Sequence, residues 1–398
     1  MRVTLVSPYH GGSHQAWATG YQSESAHEIE ILDLPARFWK WRMHGGAVTL
    51  ARRFLRPTDL ILATDMLDLT TFLALTRPAT SATPIVLYMH ENQLTYPLPD
   101  DPTTGAMRRQ HGERDRHYAF INFTSMLAAD RVLFNSRYHL DSWFGALPDF
   151  LRHFPEFNEF EAAGDLRAKS EVLPVGIDAG SLDRSGDAED DSRREGSSPS
   201  CSSPDEASPL VLWNQRWEYD KNPGAFFDAL FLVADEGIPF RVALCGERFS
   251  QHPEEFEMAI DRLGNRVEHV GFAEPSHYAR LLREATVTVS TAHHEFFGIS
   301  ILEAIHCHTF PVLPDRLSYP ELLPQVGRES CLYSDSHGLV ERLRWALLNA
   351  EEATRFATDE LSPHVACYDW RILAPVYDGV LEAVAAGAAS PRAPQVRR

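Results

Sequence analysis

Two glutamates, Glu295 and Glu303, bracket the turn Phe296-Phe297-Gly298-Ile299 within the stretch STAHHEFFGISILEA at 290–304. The apolar run Val287 to Val289 before it reads as a buried strand, and Ile301, Leu302 and Ile305 after it fall on one face of a helix. A helix start presents backbone N–H groups without intrahelical partners, and the summed peptide dipoles place partial positive charge there, so an anion is favoured. Gly298 lets that anion approach the backbone at Phe297, Gly298 and Ile299. An ionised carboxylate only accepts, through several lone pairs. Glu303 is therefore expected to accept both hydroxyls of a ribose, and Glu295 the hydroxyls of a sugar in transfer. The chemistry predicted is recognition of a sugar nucleotide.

A diphosphate also needs cations, and WNQRWEYDKNP at 213–223 offers them just after the apolar run 210–213. Arg216 and Lys221 sit on a strand-to-helix loop, where they are expected to clamp the diphosphate beside Asn214. His90 directly follows the apolar run 85–89 and is expected to meet a sugar hydroxyl or to manage a proton. Gly11 and Gly12 follow the first strand; they either let backbone amides reach a ligand or simply make the turn. His306-Cys307-His308 points its side chains in different directions around a helix, and the chain has no Asp-x-Asp pair to hold a metal against a diphosphate. No metal and no other cofactor is expected; charge neutralisation falls to protein donors.

A third chemistry is suggested by Arg37-Phe38-Trp39-Lys40-Trp41-Arg42, followed by Arg52, Arg53 and Arg56, with no Asp or Glu between. Exposed, such a run supplies phosphate contacts and flat faces for bases; equally, it is an amphipathic helix with buried tryptophans and solvated arginines. A second basic group lies at Arg108, Arg109, Arg114, Arg116 and His117. Both matter because the chain as a whole carries a net charge of −19, which excludes bulk electrostatic coating of nucleic acid.

These residues need two scaffolds. Strand-like runs at 2–7, 28–34, 59–63, 85–89, 131–134 and 171–175 alternate with segments long enough for helices. The same rhythm resumes at 210–213, 240–245, 266–270, 286–290 and 310–313, which predicts two parallel, doubly wound α/β domains. Such sheets bind ligands at the carboxyl ends of their strands. The expected boundaries are 1–178 and 209–368 for the domains and 179–208 for a linker, whose 183–206 segment is too rich in Ser, Asp, Glu and Pro to order itself. A helix at 369–387 returns to the first domain, and 388–398 is a tail. Five cysteines without a Cys-x-x-Cys pair indicate reduced structural thiols, and no stretch approaches the ~20 apolar residues of a membrane span. A cytoplasmic protein without a membrane partner is expected.

Together, the Gly-Gly turn, the Arg216/Lys221 pair and the Glu295-to-Glu303 spacing resemble retaining glycosyltransferases of family 4. The resemblance implies the GT-B architecture: two Rossmann-like domains facing a cleft, with a C-terminal helix bridging back. MHENQLTYP at 89–97, WNQRWEYDKNP at 213–223 and HEFFGISILEA at 294–304 are similar to a branch that transfers mannose from GDP-mannose to the queuosine base in the anticodon of aspartate tRNA. It implies metal-free transfer with Glu295, His90, Arg216 and Lys221 in the chemistry. Gly11, Gly12, Asn214, Phe297, Gly298, Ile299 and Glu303 join Arg216 and Lys221 around the donor. Arg37, Trp39, Lys40, Trp41, Arg42, Asn92, Arg108 and Arg109 lie on the tRNA side. A small carbohydrate or lipid acceptor, or a silent sugar-nucleotide sensor, is an alternative with the same donor residues.

Overall fold

The structure is a computed structural model that describes residues 1–96, 107–184, 208–246 and 255–387; over 107–115 it describes the backbone alone. It divides into two compact units, Met1–Ile177 with the segment from Trp370, and Asp178–Asp369.

In the first unit, β1 (Arg2–His10), α1 (Gly12–Glu24), β2 (Glu28–Pro35), α2 (Trp39–Arg53), β3 (Leu60–Thr64), α3 (Leu69–Thr80), β4 (Ile85–Met89), α4 (Met107–Ala128), β5 (Arg131–Phe134), α5 (Arg137–Leu151), α6 (Phe160–Ala168) and β6 (Ser170–Val172) follow in order. The sheet runs β2-β1-β3-β4-β5-β6, with every pair parallel. LILAT of β3 and IVLYM of β4 are buried at every residue, as a strand covered on both faces must be. Because β1, β3 and β4 are neighbours, the residues just after them converge at one carboxyl edge: Gly11, Asp65 and His90. β1 runs three residues past the expected 2–7, with a register irregularity between Ser7 and His10. Gly11 therefore becomes the whole turn. A Cβ on it would lie 2.5 Å from that of Ala36, which no side chain tolerates.

In the second unit, β7 (Leu210–Asn214), α7 (Pro223–Asp235), β8 (Arg241–Cys245), α8 (Glu255–Leu263), β9 (Val267–Gly271), α9 (Pro275–Glu284), β10 (Ala285–Val289), α10 (Ile299–His306), β11 (Phe310–Pro314) and β12 (Leu332–Tyr333) build a second parallel sheet, β12-β11-β10-β7-β8-β9. β10 lies beside β7, so the loops 290–298 and 215–222 share one edge. The doubly wound α/β organisation read from the strand rhythm is the one observed in both units.

The linker was expected from 179. Residues 179–184 are helical and belong to the second unit: Leu182 is buried, Arg283 donates to its carbonyl at 2.7 Å, and Asp183 meets His306 Nε2 at 3.0 Å. Local apolar and charged contacts outweigh the acidic composition there. Residues 185–207, most of the expected linker, and the tail 388–398 lie outside the described residues. The C-terminal helix, Trp370–Ala385, packs on the first unit. The Asp378 carboxylate accepts from Tyr21 Oη (2.7 Å), Ser25 Oγ (2.6 Å) and the Ala26 amide (2.8 Å), and Tyr377 Oη donates to the Pro174 carbonyl at 2.7 Å. No described helix is long and apolar enough to cross a membrane.

Candidate functional site

The loop from β10 to α10 is shaped by a left-handed glycine and by an ion pair between a buried lysine and a partly buried glutamate. Gly298 caps α10 at φ 102°, the left-handed region, and a Cβ there would lie 3.2 Å from Leu322 and 3.4 Å from Tyr319. The Lys221 ammonium, buried, lies 3.2 Å from Glu295 Oε2 and 3.3 Å from Asp220 Oδ2, and donates to the His294 carbonyl at 2.9 Å. Burial alone would push the Glu295 carboxyl up, but Lys221 and the Phe297 amide, which donates to Oε1 at 3.3 Å, hold it below the ordinary range. The same pairing keeps Lys221 charged: burial lowers its pKa, yet Glu295 and Asp220 raise it on balance. Burial and the Lys221 charge push His294 down to about 4, so its imidazole is neutral.

Lys221, expected at the diphosphate, donates to Glu295 and to the His294 carbonyl and lies beside Asp220, so it fixes the Glu295 carboxylate. The Phe297 amide donates to Glu295. Arg216 is the half-exposed cation of the loop, 3.0 Å from Glu218, and close enough to Lys221 to repel it.

Asn214, expected beside the donor, braces the loop. Its amide donates to the Ser300 carbonyl at 2.8 Å and to Tyr278 Oη at 3.3 Å, and its oxygen accepts from Thr288 at 3.2 Å, which pins the start of α10 to β7 and β10. Glu303, partly buried, accepts from Tyr278 Oη at 2.8 Å. Burial, opposed by that hydrogen bond and reinforced by the charge of Asp178, pushes its carboxyl up to about 7. Tyr278 and Asp220 were missed in the sequence. Asp220 had a signal, an acid beside Lys221; Tyr278 had none, since it comes from a different helix.

At the edge of the first sheet, His90 is buried, its ring stacked on His14 (centroids 4.2 Å apart), edge-on to Trp17 (4.6 Å) and tilted against Tyr88 (4.7 Å). Burial lowers its pKa to about 3, which makes it a neutral imidazole. His14, Asp65 and His90 offer ligand atoms within 4.8 Å of one another, a grouping the expectation of no metal had not anticipated. Asn92, expected on the acceptor side, is fully buried instead. Its oxygen accepts from the Leu94 amide (3.1 Å), the Thr95 amide (2.8 Å) and the Thr95 hydroxyl (3.1 Å), closing a turn. Gly12 takes φ 52° with open space around its Cα.

The basic, aromatic run divides into two faces of α2. Trp39 packs against Tyr118 (5.2 Å) beside Met43, Met66 and Ile121, with the Lys40 ammonium 5.4 Å over its ring. Partly buried, it anchors the helix. Trp41 is 64% exposed and Phe38, unassigned in the sequence, 79%; Arg37, Arg52, Arg53 and Arg56 are exposed beside them. Arg42 is partly exposed and donates to the Pro35 carbonyl at 3.1 Å. The side chains of Arg108 and Arg109 lie outside the described residues; Arg116 and His117, further along α4, are exposed.

Residues 2–177 match the family described as tRNA-queuosine alpha-mannosyltransferase N-terminal, and residues 201–359 match glycosyl transferases group 1. The tRNA-queuosine alpha-mannosyltransferase of Drosophila melanogaster is 32% identical over 351 residues, 86% of this chain and 85% of that protein. A GDP-mannose-dependent alpha-(1-6)-phosphatidylinositol dimannoside mannosyltransferase of Mycobacterium tuberculosis is 29% identical over 110 residues, 27% of this chain and 28% of that one. Among solved structures, sucrose-phosphate synthase from Thermosynechococcus elongatus superposes with a TM-score of 0.69 at 14% identity, over 98% of this chain and 100% of that one. Anabaena HepE in complex with UDP gives 0.63 at 15% identity, over 96% and 100%. These likenesses establish the GT-B fold.

Proposed function

Because the chain belongs to the tRNA-queuosine α-mannosyltransferase family, we propose that it transfers mannose from GDP-mannose to the queuosine base in the anticodon of aspartate tRNA, with retention and without a metal. The observation that carries the donor half is the Lys221–Glu295 pair set against the start of α10, with Glu303 on that helix beyond it. Glu303 accepts the ribose hydroxyls, and Glu295, kept ionised by Lys221, accepts hydroxyls of the mannose. As the anomeric carbon–oxygen bond breaks, negative charge grows on the departing diphosphate. Arg216 and the amides opening α10 meet it, with the Lys221 charge close behind; preorganised donors of this kind are worth roughly 3–4 kcal/mol each. His90 offers a neutral imidazole to a substrate hydroxyl.

The acceptor half rests on the family and on the start of α2, where the exposed Arg37 and Trp41 and the partly exposed Lys40 and Arg42 suit a backbone with an unpaired base in an otherwise acidic protein. Such an acceptor fits a cytoplasmic enzyme. The test is incubation of purified protein with labelled GDP-mannose and tRNA that contains or lacks queuosine. Label is expected only in the queuosine-containing tRNA; label in neither, or in both equally, overturns the acceptor.

A further inference from the structure

Two residues near the start of α2 are unfavourable for the fold itself. Phe38 caps the helix in the left-handed region, at φ 54° and ψ 56°, where a residue with a Cβ is strained and glycine is not. Its carbonyl accepts from the Trp41 amide at 2.8 Å and the Arg42 amide at 3.1 Å, so the helix needs this backbone but not this side chain. The ring gains little packing in return, since Phe38 is 79% exposed. Gly45 lies inside α2, where glycine is less favourable than alanine. Its neighbour Gly46 is explained by the interior, because a Cβ there would lie 2.9 Å from that of Pro8. A Cβ on Gly45 would instead meet the indole of Trp41, at 2.6 Å from Cε2, 2.7 Å from Cζ2 and 3.0 Å from Nε1. The Trp41 ring therefore rests against the helix at Gly45 and leaves the rest of its surface to solvent.

We infer that Phe38 and Trp41 are stacking faces for two unpaired bases of the RNA acceptor, and that Gly45 is a positioning residue whose missing side chain lets the Trp41 ring settle on the helix. Three residues apart at a helix start, the two aromatics are neighbours on its surface. The inference rests on the reading that the acceptor is a tRNA, and it names the groups that would hold the bases of its loop.

The surroundings point to the same partner. Arg37 and Lys40 alternate with the aromatics, Arg42 follows, and residues 34–58 contain no Asp or Glu in a chain whose net charge is −19. Flat apolar faces set among cations fit a polyanion that has flat faces of its own, which is single-stranded nucleic acid. In an RNA loop the bases are unstacked and can be splayed onto aromatic rings while the backbone meets the cations. The rings and the cations then make separable contributions: loss of a ring weakens binding at every salt concentration, whereas loss of a cation changes how binding depends on salt.

The test is binding of queuosine-containing tRNA at several salt concentrations, beside thermal unfolding, for full-length Phe38→Asn and Gly45→Ala. Both substitutions suit the local backbone: asparagine adopts the left-handed region more readily than phenylalanine, and alanine adds helix propensity while displacing an exposed ring. Tm is therefore expected to hold or rise in both. The Kd for tRNA is expected to rise about tenfold in each, with an unchanged log–log salt slope because no phosphate contact is lost. Phe38→Tyr, which keeps the flat face, is expected to bind within about threefold of wild type. Wild-type affinity in both Phe38→Asn and Gly45→Ala overturns the inference, and so does a lower Tm in both, which would give the rings to the fold. Variants that lose binding to phosphatidylserine vesicles but keep their affinity for tRNA overturn it in favour of a lipid surface. A wild type that binds no tRNA removes the acceptor reading as well, whereas variants that bind as tightly as a tRNA-binding wild type remove this inference alone.

Discussion

The carboxyl edges of the two sheets are made of opposite materials. In the second unit the edge is charged and paired: Lys221 against Glu295 and Asp220, with Arg216 against Glu218. In the first it is aromatic and neutral, a stack of His14, His90, Trp17 and Tyr88 around one buried carboxyl. A charged pair holds its protonation state through ordinary pH and suits a partner of constant charge such as a diphosphate. A desolvated imidazole stays neutral and suits a hydroxyl, whose recognition depends on which nitrogen bears the proton.

Removing one member of the charged edge should have the largest effect. Lys221→Ala leaves the buried Asp220 and the partly buried Glu295 without their cation, so transfer should fall at least a thousandfold and stability by about 3 kcal/mol. Denaturant unfolding beside the transfer assay checks both, and an unchanged stability would mean the pair is not a structural unit. Arg216→Ala, at a half-exposed position, should lower kcat about a hundredfold with almost no change in Tm. The two variants together separate a cation that builds the site from one that serves the leaving group.

A smaller effect should come from pH. Glu303, pushed up to about 7, is proposed to bind ribose as the carboxylate, so the KM for GDP-mannose should rise as pH falls through 7, approaching tenfold per unit below it. In Glu303→Gln the KM should be high and flat with pH. A wild-type KM independent of pH between 6 and 8 would remove the ribose assignment. On the acceptor side, Trp41→Ala should weaken tRNA binding by about 1–3 kcal/mol without loss of stability, whereas Trp39→Ala should lower Tm. Neutralising Arg37, Lys40 and Arg42 should flatten the salt dependence of tRNA binding, by roughly 0.7–0.9 in log–log slope for every phosphate that a side chain no longer neutralises.

Continuous apolar runs made both sheets legible, since a strand covered on both faces leaves a nearly continuous signature. β12 was missed because two residues carry no period. The loop at 290–298 was legible for the same reason a helix start is: its glycine, its acids and its preceding strand are contiguous. Asp65, Tyr278 and the division between Trp39 and Trp41 were not. Asp65 resembles any turn acid until β3 and β4 pair; the tryptophans differ only in which face of α2 meets Tyr118. Asn92 and Asn214 were read as ligand contacts from their positions after strands; in the structure the Asn92 oxygen closes a turn while its Nδ2 has no hydrogen-bond partner among the described residues, and Asn214 bonds Ser300, Tyr278 and Thr288.

The central claim is that the donor nucleotide lies against the start of α10, and a structure of the protein with GDP-mannose tests it most directly. The account predicts the diphosphate within about 3 Å of Arg216 and the amides at Gly298 and Ile299, with both ribose hydroxyls on Glu303. A nucleotide bound elsewhere, with the Lys221–Glu295 pair and Glu303 untouched, would contradict it.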